Sequence, residues 1–80
     1  MNAWYVVMTF TGSNIMHVFT HTSSHGSDFT QAHAFNERHA KCIADASCWN
    51  TKSFKVRAIK QDEFDKLAVE QMLKEIAHES

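Results

Sequence analysis

Three of the chain's six histidines stand at residues 17, 21 and 25, within the stretch HVFTHTSSHG. Imidazole is a common metal ligand and the side chain that changes charge nearest neutral pH. The even spacing therefore raises two chemistries, chelation and proton transfer. A zinc site gathers three or four ligands at about 2.0–2.3 Å from the ion. Residues four apart on an extended strand are separated by roughly 13 Å, so His17 and His21 cannot share an ion unless the strand ends between them. The stretch reads as a half-buried strand histidine, His17, followed by the loop histidines His21 and His25. It does not read as a metal motif.

A second set lies further along. His39 and Cys42 are three apart on a segment with helical periodicity, and Cys48 with one hairpin histidine could complete four ligands. Zinc motifs usually supply two close pairs, and here only one has suitable spacing. His39, Cys42 and Cys48 therefore carry the third of three functional readings, a zinc-binding regulator, and no cofactor is expected. The two cysteines are too few for a disulfide scaffold and read as free thiols. Nucleophilic catalysis needs a base within hydrogen-bond reach and a group to orient it. The chain shows no nucleophile elbow and no paired-carboxylate pattern. Two glycines leave no phosphate-cradling loop. An enzyme is not expected.

Composition narrows the field further. Eighty residues make one domain, 1–80, with a thin core. The hydrophobic fraction of 44% and charged fraction of 21% are those of a globular chain. A net charge of -1 argues against a DNA mimic and against bulk electrostatic capture of nucleic acid. No apolar run approaches the roughly 20 residues that cross a bilayer, and MNAWYVV lacks the basic start of a signal peptide. The expectation is a soluble, cytoplasmic protein without membrane partners.

The elements that position these residues follow from periodicity. WYVVMTF (4–10) and IMHVFTH (15–21) are rich in β-branched and aromatic residues, and Gly12 with Ser13 suits a tight turn between them. Phe10 then faces Ile15, Met8 faces His17, Val6 faces Phe19 and Trp4 faces His21. That heavier face should meet the core, while Tyr5, Val7, Thr9, Met16, Val18 and Thr20 share the other. A helix is predicted over 28–46, with Asp28 as N-cap, Ser27 as the rival cap and Gln31 closing a capping box. Its apolar sector holds Phe29, Ala32, Phe35, Ala40, Cys42, Ile43 and Ala46, with His39 in its middle. Asn36 and His39 read as hydrogen-bonded residues bordering the core. SFKVRAIK (53–60) alternates as a strand. A second helix begins near Asp62, its apolar residues Phe64, Ala68, Met72 and Ile76 stepping by four, flanked by Val69 and Leu73, with Leu67 off the stripe. The order is β-β-α-β-α, an α+β fold whose three-stranded antiparallel sheet runs 2-1-3.

Two surfaces remain for function. The sheet face carrying Tyr5, Val7, Met16, Val18, Lys55, Arg57 and Ile59 is an apolar patch edged by cations, which suits a protein interface. It also suits single-stranded RNA, with Tyr5 stacking a base. The second helix either packs on the sheet or pairs with a copy of itself, so the chain is expected as a monomer or a homodimer.

The strand pair WYVVMTFTGSNIMHVFT, the helix DFTQAHAFNERHAKCIADA and the strand SFKVRAI together resemble, in arrangement, small phage-encoded inhibitor proteins. These include an inhibitor of host RNA polymerase and some anti-CRISPR proteins. The resemblance covers about residues 4–60 and carries no functional residue across. It implies a viral protein that binds and blocks a larger host complex. The first reading is thus a non-enzymatic interaction module, anchored by Tyr5 and Arg57. The second is a small RNA-binding module on the same face.

Overall fold

The computed structural model describes residues 3–12, 16–46 and 51–79, the last five by backbone alone. Strands β1 (Trp4–Phe10), β2 (Met16–Phe19) and β3 (His25–Gly26) precede a 3₁₀ turn at Phe29–Gln31. Helix α1 (Glu37–Asp45), strand β4 (Phe54–Lys60) and helix α2 (Gln61–Glu79) follow. The sheet is antiparallel in the order β3-β2-β1-β4. The expected order 2-1-3 is present as β2-β1-β4, and β3 adds a fourth, edge strand.

The hairpin has the register that alternation dictates. Met8 pairs with His17, Val7 with Val18 and Thr9 with Met16. Gly12 takes φ +79° at the turn, a conformation that side-chain-bearing residues resist; Ser13 and Ile15 lie outside the described residues. β2 ends at Phe19, so the expected pairing of Trp4 with His21 does not form. The chain instead reverses at once: the amides of Thr20 and His21 donate to the Ser24 carbonyl at 2.9 and 3.3 Å. Residues 25 and 26 then return beside Phe19 and Val18. A two-residue strand of His and Gly carries no β-branched signal, which is why periodicity does not reveal it.

The helix predicted over 28–46 is divided. Asp28 does cap, but it caps a single 3₁₀ turn, accepting from the Thr30 amide at 3.0 Å and the Thr30 hydroxyl at 2.6 Å. The chain then runs non-helically past the edge that β2 vacates. The His33 amide donates to the Phe19 carbonyl at 3.0 Å, and Trp4 and Phe35 exchange backbone bonds of 2.9 and 2.7 Å. Unpaired backbone groups at a buried edge are costly, and this segment satisfies them. Breaking the helix also frees its two aromatics. Phe29 and Phe35, six residues apart, would diverge by about 120° on an α-helix; here they enter opposite sides of the sheet. Asn36 caps α1 by accepting from the His39 amide at 2.7 Å.

One core lies under α1, where Ala40, Ile43 and Ala44 meet Val6, Met8, Phe19, Phe35 and Val56. Because α1 starts at residue 37, its packing face is set by positions 40, 43 and 44. His39 and Cys42, predicted on the apolar sector, are exposed.

The second core corrects the largest expectation. The sheet face carrying Tyr5, Val7, Met16, Val18, Lys55, Arg57 and Ile59 is not open. α2 follows β4 without an intervening residue, and the Gln61 amide is fixed to the Ala3 carbonyl at 3.1 Å. Its first turns lay Phe64 and Leu67 over Val7, Val18 and Ile59, with Phe29 and Ala32 completing the cover. Val7 and Val18 are 0% exposed and Ile59 is 4% exposed.

Candidate functional site

Of the seven residues predicted to form an exposed sheet patch, three are sealed in the second core. Tyr5 is half-buried and stacks on Phe64 with ring centroids 4.1 Å apart and planes 13° from parallel. That stack takes the ring face a base would need on this side of the sheet. Met16 is half-buried, and Lys55 and Arg57 remain exposed on β4. The cations are present, but the apolar centre they were to edge is inside the protein. Two further lysines, Lys41 and Lys60, approach the Trp4 ring at 5.3 and 6.0 Å from its centroid. Lys41 also pairs with Glu37 at 2.8 Å, and its hydrogen bond and charge hold the Glu37 carboxyl below the usual carboxylate range.

The apolar surface lies elsewhere, on α2. Taking 100° per residue, Phe64, Leu67, Ala68 and Gln71 fall within one sector, and all four are buried or half-buried. Val69, Met72 and Leu73 fall in a second sector, centred about 140° away, and are 54%, 59% and 59% exposed. The predicted single stripe is therefore two. Leu67, read as an outlier, faces inward, and Met72, Val69 and Leu73 face out. Beside them runs a groove of about 480 Å³ between α2 and the 3₁₀ turn, lined by Ser27, Asp28, Phe29, Thr30, Ala68, Gln71 and Met72. Asp28 brings one carboxylate to its rim, kept ionised to unusually low pH by the two bonds from Thr30. Sequence carried a signal for this surface: the apolar positions of α2 spread too widely for one packed face.

The histidines gather in a way that spacing along one strand does not foretell. His17 and His25 stand on adjacent antiparallel strands, and their Nδ1 atoms are 3.0 Å apart. His17 is half-buried and His25 exposed. Burial, and then the neighbouring His25, lower the His17 pKa below the usual imidazole value. His21, His33 and His39 form a separate series around Phe35. His33 meets that ring edge-on at 4.7 Å, His39 does so at 5.1 Å, and His21 stacks on His33 at 6.0 Å. Among the described residues no group of three His, Cys, Asp or Glu is placed to hold a metal ion. His39 and Cys42 have no third ligand among these residues, and Cys48 lies outside them. Among the described residues, too, no helix is long and apolar enough to cross a membrane.

No family model, curated protein or solved structure matches the chain.

Proposed function

We propose that the protein is a non-enzymatic interaction module that docks on another protein through the outward apolar stripe of α2. The observation that carries this reading is the exposure of Val69, Met72 and Leu73 at i, i+3 and i+4, on a side of the helix that its own sheet does not use. That spacing is how a helix anchors in the groove of a partner. Methionine is also enriched at interface centres. The groove beside Met72 and Phe29 offers a matching recess for a partner side chain. In the form that the phage-inhibitor resemblance implies, the α/β body is a rigid wedge and α2 is the attachment that holds it against a larger host complex, such as RNA polymerase or a CRISPR effector.

The test compares wild type with a Met72→Glu, Leu73→Glu variant in transcription by a host RNA polymerase and in target cleavage by CRISPR effectors, alongside light scattering of the protein alone. Both side chains are more than half exposed, so the variant should keep its melting temperature while losing inhibition. Inhibition that survives the double substitution would remove α2 from the mechanism. A concentration-dependent dimer abolished by the same substitutions would assign the stripe to a second copy of the chain instead.

A further inference from the structure

We propose that His17 and His25 form a two-imidazole edge site that chelates a late first-row divalent ion, Cu(II) or Ni(II), through both Nδ1 atoms. The backbone ladder sets the geometry. His25 pairs with Phe19, two residues from His17 on β2, so the two imidazoles are diagonal neighbours on one face of the sheet. The Phe10 ring stands edge-on to His17 at 4.9 Å, and the Phe19 ring lies 5.8 Å from that of His25. These contacts restrict the rotation that a chelating pair would otherwise lose on binding.

The Nδ1 atoms, 3.0 Å apart, point to one another. In the metal-free pair one must carry the proton and the other must offer its lone pair. Moving that proton to the distal nitrogen and turning each ring roughly 43° away from the N···N line aims both lone pairs at one point. An ion about 2.05 Å from each nitrogen would then subtend an angle of about 94°. Tetrahedral zinc requires the nitrogens to spread to about 3.35 Å. Cis positions of a square-planar or octahedral ion require about 2.9 Å. The 3.0 Å separation is nearer the cis spacing, and Cu(II) and Ni(II) also stand above or close to zinc in intrinsic affinity for nitrogen ligands. The exposure of His25 gives the ion access.

NiCl₂ is the probe, because unlike Cu(II) it does not oxidise the exposed thiol of Cys42. Isothermal titration at neutral pH should give one saturable site on the wild-type chain. His17→Gln and His25→Gln should each weaken it at least about tenfold, while His33→Gln and His39→Gln leave it unchanged. Binding to the folded state should raise the melting temperature only where both site histidines remain. Should either site variant unfold without metal, ¹⁵N imidazole spectra of the wild type decide the matter: Ni(II) must broaden the signals of His17 and His25 first. Equal affinity in all four variants, the absence of saturation by about 1 mM, or first broadening at His33 or His39 would overturn the site.

Discussion

Replacing Phe64 with alanine tests the assignment on which the location of the binding surface turns. Phe64 is 7% exposed, stacks on Tyr5 at 4.1 Å and lies 5.6 Å from the Phe29 ring at 18°. Truncating a buried phenylalanine costs about 3–5 kcal/mol in lost transfer free energy and cavity. The two aromatic contacts, worth about 0.5–1.5 kcal/mol each, place this site in the upper part of that range. At about 0.05–0.15 kcal/mol per residue, a chain of this length has only about 4–12 kcal/mol in total. At about 4 kcal/mol or more, the variant should therefore lose at least about a third of its stability and melt at least about 16 °C lower. Chemical denaturation measures the first quantity and calorimetry the second. Leu73→Ala on the same helix, at a position 59% exposed, should stay within about 0.5 kcal/mol of wild type.

A Phe64→Ala cost below about 1 kcal/mol would refute the reasoning. It would mean that the first turns of α2 do not seal the sheet. Val7, Val18 and Ile59 would then be available to a partner after all, and the contact surface would return to Tyr5 and Arg57.

Two further outcomes are expected. Asn36→Ala should destabilise the fold by about 1 kcal/mol, because the His39 amide loses its 2.7 Å acceptor, whereas Asn36→Gly should cost only a few tenths; equal costs in urea titrations would deny the cap its role. The His17 pKa is lowered by folding, so the unfolded chain binds more protons as acid is added, and stability must fall as pH drops below the ordinary imidazole value toward the folded one. Urea midpoints should decline on going from neutral to mildly acidic pH in wild type and decline less steeply in His17→Gln, while a shared slope would place the titration elsewhere.

Strand alternation was the reliable part of the sequence. Met8 opposite His17 and Val7 opposite Val18 follow from parity alone, because a one-residue slip would turn every side chain to the wrong face. The misreadings share one cause, which is that local pattern does not register demands made by distant backbone. Residues 32–36 sit in a sequence with helical periodicity, yet the open edge at Trp4 recruits them for pairing. His25 and Gly26 lack strand propensity and are held in the sheet by Phe19 and Val18. The His17–His25 pair was invisible for the same reason: distance along one strand separates histidines, and a hairpin brings them back. The α2 surface was partly legible in its scattered apolar positions, but only packing shows which of them face out.

The placement of the candidate surface follows from the size of the domain. β1 and β4 are apolar on both faces, with Val6, Met8 and Val56 on one and Val7 and Ile59 on the other. A chain of 80 residues buries only about 60% of its unfolded surface and cannot leave either face bare without losing much of its stability. α1, nine residues long, covers the first face. The second falls to α2, and covering it takes only the turns carrying Phe64 and Leu67. Those turns occupy about 10 Å of a helix that spans about 28 Å. Beyond them, the outward sector of the described residues bears Val69, Met72 and Leu73 rather than lysine and glutamate alone. Helical residues that pack on nothing are ordinarily polar. Three large apolar side chains on an unused sector are thus a cost in solubility that the fold of the described residues does not require, and the proposed docking partner would offset that cost by covering them.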